Sequence, residues 1–215
     1  MTTRRRHGRK IRVAFVKYGG LVNTGGERTL MRLAMGLDKS RLQVTYFWCE
    51  PGKEVPHRSC LEFRDELESA GVRPVEFRVG FRDLRDPIKP WVRTDFFDVF
   101  RPGDFDIVQT LREGGPEYPF VFIPRPVVEF NIFGGVDTSV NTVRTVCNSP
   151  WLLRRWLANG GDPRKGTAVY IGVERPTAGD LRGELRIPAE ALVVGLHQRP
   201  DDRIFSEIPL RASPI

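Results

Sequence analysis

The sequence predicts a doubly wound α/β fold with a mostly parallel, Rossmann-like sheet. Three observations predict it. Short apolar, β-branched runs recur along the chain, the first of them alternate with helix-patterned segments, and the connections are long enough for crossovers.

Taken in order, Ile11 to Val16 (Ile-Arg-Val-Ala-Phe-Val) has the make-up of a buried parallel strand. A glycine-bearing loop follows from Lys17 to Gly26. From Glu27 the pattern turns helical, with Leu30, Leu33, Ala34 and Leu37 on one stripe. Leu42 to Trp48 is the second strand. Ser59-Cys60-Leu61-Glu62 is a capping box that opens a second helix, closed by Gly71. Val75 to Val79 is the third strand.

Arg82 to Pro102 is irregular, with a short helix around Thr94 to Phe100. Strands are predicted at Phe105 to Gln109, at Pro119 to Ile123 and at Val127 to Asn131, the last set apart by Pro124 and Pro126. Thr142 to Cys147 is a strand. Ser149-Pro150 then supplies an N-cap and an N1 proline for a helix from Trp151 to Asn159, which stops at Gly160. Thr167 to Ile171 is a further strand. Asp180 to Pro188 is a charged connector and Ala191 to Leu196 a fresh strand. The organisation expected is a basic tail (1–10), a Rossmann-like domain (11–175), and a linker with the first strand of an incomplete second domain (176–215).

The chain has 215 residues and a formal charge of +7. Arg4, Arg5, Arg6, Arg9 and Lys10 account for five of those charges, so the rest is nearly balanced. That distribution and the lack of a nucleic-acid-binding motif argue against DNA or RNA. The tail fits either a solvated end or a contact with an anionic membrane. Three scattered cysteines make no disulfide framework, and the basic start runs straight into a strand with no secretory apolar segment behind it. Both predict a cytoplasmic protein, peripheral at the membrane if the tail binds lipid.

The chemistry concentrates at Gly25-Gly26, between the first strand and the first helix. In an open α/β sheet, ligands bind beyond the carboxyl ends of the strands. There a helix N-terminus offers free N–H groups to phosphate, and glycine lets the backbone come close. The spacing is neither Gly-x-Gly-x-x-Gly nor a P-loop, which argues against a nicotinamide enzyme and a P-loop NTPase. The same glycines also fit a simple turn.

Gly25-Gly26-Glu27-Arg28, followed by Leu30, Leu33 and Ala34, resembles the Gly-Gly-x-Glu-Arg opening of retaining glycosyltransferases of the GT-B fold, in the large family-four class. Phe105-Asp106-Ile107-Val108 resembles a strand of that class. Val146-Cys147-Asn148-Ser149 resembles the end of its N-terminal domain. Tyr170-Ile171-Gly172-Val173-Glu174 resembles its crossover, and Leu185-Arg186-Ile187-Pro188 before Val193-Val194-Gly195 resembles the start of its second domain.

The resemblance implies a sugar transferred from a nucleotide-sugar donor, with no other cofactor and no metal. It implies donor-diphosphate binding by Gly25, Gly26, Arg199 and Arg203, where Arg203 stands at the family's usual lysine. Glu27, Glu113, Glu129 and Asn131 are acceptor-side candidates, and each also fits a capping or surface role. The family's paired glutamates have no counterpart before Ile215. The resemblance therefore implies a chain that stops early in the second domain and transfers sugar weakly or not at all. The alternative is a non-catalytic domain that binds a phosphate-bearing ligand or a protein.

The remaining candidates are weaker. Cys49, His57 and Cys60 lack a fourth ligand at a recognised spacing, so no metal is expected. Trp151 and Trp156 read as core, with Arg154 and Arg155 on the wet face. Phe130 to Gly135 fits both an acceptor-facing loop and a buried turn. His197 follows a strand near Arg199 and could line a cleft.

Overall fold

The apolar runs assemble into one parallel sheet. The computed structural model describes residues 9–17, 20–22, 25–49, 61–78, 94–172 and 179–192. Its strands are β1 (Ile11–Val16), β2 (Leu42–Cys49), β3 (Val72–Phe77), β4 (Ile107–Arg112), β5 (Val127–Asn131), β6 (Thr142–Cys147) and β7 (Gly166–Ala168). They lie in the order β3-β2-β1-β4-β5-β6-β7, and every neighbouring pair is parallel. The seven-stranded sheet is the Rossmann-like fold expected.

Strand alternation divides the core. From β1, Val13 and Phe15 face helices α1 (Gly25–Gly36) and α2 (Leu61–Ser69), packing with Leu30, Met31, Ala34 and Leu67. Ala14 and Val16 face the other way, into an aromatic cluster of Phe47, Phe77, Phe96, Phe100, Phe105 and Phe120. Phe96 and Phe100 stack at 4.8 Å, and Phe100 stacks on Phe105 at 5.2 Å. Phe96 belongs to the short helix α3 (Phe96–Val99). A third cluster joins Cys147 to Leu152 and Trp156 of α4 (Pro150–Ala158).

End signals in the sequence operate as hydrogen bonds. The Ser149 side chain accepts from the Leu152 N–H, with Pro150 at the first position of α4. Gly160 takes a φ of +96°, ending that helix in the left-handed region glycine favours. Lys39 Nζ donates to the carbonyls of Ala34, Met35 and Leu37 at 2.9, 2.8 and 2.9 Å, capping the end of α1.

Several expectations are corrected. Pro119 to Ile123 is not a strand. Phe120–Phe122 is a 3-10 turn, with Phe120 in the aromatic cluster and the Asn141 side chain donating to the carbonyls of Phe120 and Ile123. A side chain thus satisfies the acceptors a neighbouring strand would have taken.

The third strand begins at Val72, three residues early, because Pro74 is tolerated on the sheet edge that β3 forms. β4 starts at Ile107, since the Phe105 N–H donates to Pro102 in a 3-10 turn. β7 is only Gly166–Ala168. Trp151 is 59 % exposed beside Arg155, whereas Trp156 is buried. One helix face cannot bury both: five residues apart, they point about 140° away from each other around the axis.

The chain divides into a unit of Met1–Gly172 and a unit of Val173–Ile215. In the second, the predicted connector contains a helical turn, α5 (Leu181–Glu184). Arg182 donates to the carbonyls of Pro188 and Ala191 at 2.8 and 3.0 Å. Ala191 and Leu192 are not in a strand, and the rest of the strand predicted there lies outside the described residues.

Candidate functional site

The strand order reverses direction between β1 and β4. From β1 the chain winds outward through β2 to β3; from β4 it winds the other way to β7. Crossovers on opposite faces part at this point and leave a crevice beyond the carboxyl ends of the two strands.

Lys17 follows β1 directly and stands in that crevice. Its Nζ donates to the Leu111 carbonyl of β4 at 3.5 Å and lies 3.5 Å from Glu27 Oε1 in α1. The Lys17 and Glu27 side chains are each 18 % exposed. Both contacts of the ammonium are long, so a ligand oxygen competes with weak partners.

Gly25 and Gly26 play different parts. A Cβ at Gly25 would meet nothing within 4 Å, and the residue is exposed. At Gly26 a Cβ would come within 3.3 Å of Leu111 Cδ2. Gly26 therefore lets α1 lie close against β4, while the exposed Gly25 has room beside it at the start of the helix. The Thr29 hydroxyl donates to the Gly25 carbonyl at 2.6 Å and braces the first turn. Arg28 is engaged with Glu66 at 2.9 Å and lies over the Phe63 ring.

The carboxyl ends of β4 and β5 form the second wall. Glu113 is exposed just past β4, and its carbonyl accepts from the Gly135 N–H at 3.2 Å. Gly114 and Gly135 approach so closely that a Cβ on Gly114 would sit 2.2 Å from the Gly135 carbonyl oxygen, and Gly114 has a φ of +96°. Asn131 is buried. It donates to the Gly135 carbonyl at 2.8 Å and accepts from the Phe133 and Gly134 N–H groups at 3.2 and 2.7 Å. The segment from Phe130 to Gly135 is thus a turn built around Asn131, with the Phe133 side chain outside.

Glu129 is also fully buried, held between Arg112 and Thr145. Burial above all pushes its carboxyl up to about 7, although Arg112 opposes the shift. Asp137 behaves differently. Hydrogen bonds from Ser139, Thr142 and Arg112 outweigh its own burial and hold it below the ordinary carboxylate range.

The predicted site residues therefore separate. Gly25, Gly26 and Glu27 meet at the crevice, and Glu113 stands at its β4 side. Glu129 and Asn131 are inside the wall. Arg199, Arg203 and His197 lie outside the described residues, as do Arg4, Arg5, Arg6, His57 and Cys60. Arg9 and Lys10 are exposed at the opposite, amino edge of the sheet, where Arg9 pairs with Asp106 at 3.0 Å. Asp106 is held at about 2, chiefly by the Arg12 guanidinium and then by the Arg12 N–H. Cys49 is buried at the end of β2. Among the described residues no three His, Cys, Asp or Glu side chains gather as metal ligands.

Sequence reasoning passed over Lys17, Arg112 and Asp137. Lys17 carried a signal, because the residue just after the first strand of such a sheet faces the crevice. Arg112 and Asp137 carried none, being 25 residues apart in the chain.

The fold is shared with a solved structure. Anabaena HepE in complex with UDP and glucose matches with a TM-score of 0.51 and 14% identity over 82% of this chain and 50% of HepE. Its complex with UDP-glucose matches at 0.50, with the same identity and coverage. At that identity the likeness is one of fold, and this chain spans about half the length of HepE. No protein-family model and no curated protein matches the chain.

Proposed function

We propose that this chain is the acceptor-side, Rossmann-like half of a GT-B glycosyltransferase, retaining and family-four-like, that uses a nucleotide-sugar donor. One observation carries the reading: at the switch point, the exposed Gly25 begins the helix whose Glu27 meets the loosely held ammonium of Lys17. HepE, whose fold the chain shares over half its length, binds UDP-glucose, which supports a donor of that class.

The chemistry asked of the protein is electrostatic and positional. Sugar transfer leaves negative charge on the departing diphosphate, and fixed donors aimed at those oxygens lower the barrier. The N–H groups at Gly25 and the Lys17 ammonium supply such donors, and the sequence resemblance assigns Arg199 and Arg203 to the same task. Glu27 keeps Lys17 at the helix N-terminus. Glu113 faces the acceptor, and the buried Glu129 and Asn131 build the wall that carries it.

Calorimetric titration of the full chain with millimolar UDP and UDP-glucose tests this. The expected result is binding that Lys17→Met weakens about tenfold, the loss of one charge-assisted hydrogen bond of roughly 1.5 kcal/mol. No binding of either compound overturns the proposal. Binding without sugar release or transfer favours the non-catalytic alternative.

The basic tail suggests a cytoplasmic protein that meets an anionic membrane through Arg4, Arg5, Arg6, Arg9 and Lys10, at about 1 kcal/mol per charge near the surface. Sedimentation with phosphatidylserine vesicles should carry the full chain down and leave a chain lacking residues 1–10 in solution. Equal sedimentation of the two would remove the tail from the account. Among the described residues no helix is long and apolar enough to cross a membrane.

A further inference from the structure

Beneath the sheet, on the face that carries Val108 and Val127, a row of polar side chains runs across three strands. Thr110, Glu129 and Thr145 are in register on β4, β5 and β6, and all three are buried. Arg112 stands two residues past Thr110 on the same face, and Asp137 closes the group from the segment after β5.

The Arg112 guanidinium donates to Asp137 Oδ2 at 2.7 Å, and its Nε lies 3.6 Å from Glu129 Oε1, beyond hydrogen-bonding distance. Thr110 Oγ1, Arg112 Nε and Glu129 Oε1 have no hydrogen-bond partner among the described residues. One guanidinium thus faces two carboxylates in a site from which water is excluded. The better contacts all go to Asp137, which also accepts from the Thr142 hydroxyl at 2.6 Å and the Ser139 N–H at 2.8 Å. Glu129 has weaker partners, Thr145 Oγ1 at 3.4 Å and the Asn131 side chain.

Fully ionised, the cluster holds one uncompensated negative charge in a medium that penalises it heavily. A proton on Glu129 removes that charge and gives the carboxyl a donor of its own, with the unpartnered Thr110 hydroxyl opposite it in register.

We propose that the Arg112–Glu129–Asp137 cluster is a built-in proton switch: the folded domain holds one proton on Glu129 that the unfolded chain releases, and surrendering it as the pH rises through neutrality destabilises the β4–β5 end of the sheet. The groups facing Glu129 from the elements around it are Arg112 and Thr110 of β4, Asn131 of β5, Thr145 and Cys147 of β6, and Asp137. Arg112 is the one cation among them. Cys147, whose thiol burial pushes up, adds no charge. Asp137 is held ionised by its donors and does not compete for the proton.

The sign follows from linkage. Glu129 carries its proton up to a higher pH when folded than when unfolded, so between those limits the folded state binds more protons. Stability from this group is complete at acid pH and is lost as pH rises toward and through about 7.

The experiment is the melting temperature of the full chain between pH 5 and 8.5, for the wild type, Glu129→Gln and Asp137→Asn. The wild type should lose several degrees across this range, and Glu129→Gln should lose most of that dependence. Asp137→Asn frees Arg112 for Glu129 and should move the fall to lower pH. Where a variant fails to fold, the carboxyl carbon of Glu129 in the folded wild type, followed by NMR, should titrate well above the other glutamates. A flat wild-type curve, an unchanged slope in Glu129→Gln, or a Glu129 resonance titrating with the other glutamates would each overturn the proposal.

Discussion

Replacing Arg112 with methionine is expected to lower the unfolding free energy by about 3–5 kcal/mol at pH 8, the cost of leaving buried charge without its partner. Methionine keeps the apolar stem of the side chain, so the change tests the guanidinium rather than the volume. That group serves Asp137 at 2.7 Å, lies 3.6 Å from Glu129, donates to the Gly115 carbonyl at 3.4 Å and rests 4.6 Å over the Phe120 ring. Without it two buried carboxylates face each other. The loss should shrink at pH 5.5, where Glu129 is already neutral. Arg112→Lys should fall between the two, because a single ammonium cannot span partners that a planar guanidinium reaches together. Urea unfolding at the two pH values decides the matter. A loss below about 1 kcal/mol at pH 8, on the scale of a surface pair, would mean that the cluster contributes little.

The second large effect is at Trp156. Trp156→Ala should cost about 3–5 kcal/mol, the range for removing a large buried aromatic side chain. The ring is 2 % exposed and packs with Cys147 and Leu152. It also rests on two glycines. A Cβ at Gly161 would come within 2.3 Å of the ring, and one at Gly166 within 2.6 Å. Backbone that close to the ring cannot close in fully when the ring is removed, so a cavity remains. Trp156→Phe should lose much less, because the indole N–H makes no hydrogen bond to be forfeited. Trp151→Ala, on the solvent side of the same helix, should stay within about 0.5 kcal/mol. Circular dichroism during denaturant unfolding compares the three. Equal losses at Trp151 and Trp156 would contradict the packing described.

Both predictions rest on features the sequence showed only in part. The strands β1, β2, β5 and β6 were legible, because each is a run of apolar or β-branched residues between recognisable turn residues. The Ser149-Pro150 start and the Gly160 stop of α4 were legible too, since capping is local chemistry. Pro119 to Ile123 was misread. An apolar run of that length fits a strand or any other buried segment, and only the amide of Asn141, 18 or more residues away, decides which. Trp151 and Trp156 looked alike for a similar reason: the helical pattern places them on different faces, but only the partner elements determine which face is buried.

The site divides along the same line. Gly25-Gly26 stood out because a glycine pair between a strand and a helix is a local signal. The different duties of the two glycines depend on Leu111 of β4, which the sheet brings against Gly26. Lys17 acquired its place once the order β1-β4 was known, since its partners Glu27 and Leu111 come from different elements. Glu129 and Asn131 read as acceptor-side candidates or surface residues, since polar side chains in a strand usually meet solvent. The structure turns them inward.

By itself the sequence determined the fold class and most element boundaries, because hydrophobic period, capping and glycine placement act over a few residues. Only the tertiary structure decided which polar groups are buried, which glycine is open and which carboxylate lacks a partner. Those depend on distances between strands far apart in the chain, and desolvation is set by everything that surrounds a group rather than by its neighbours in sequence.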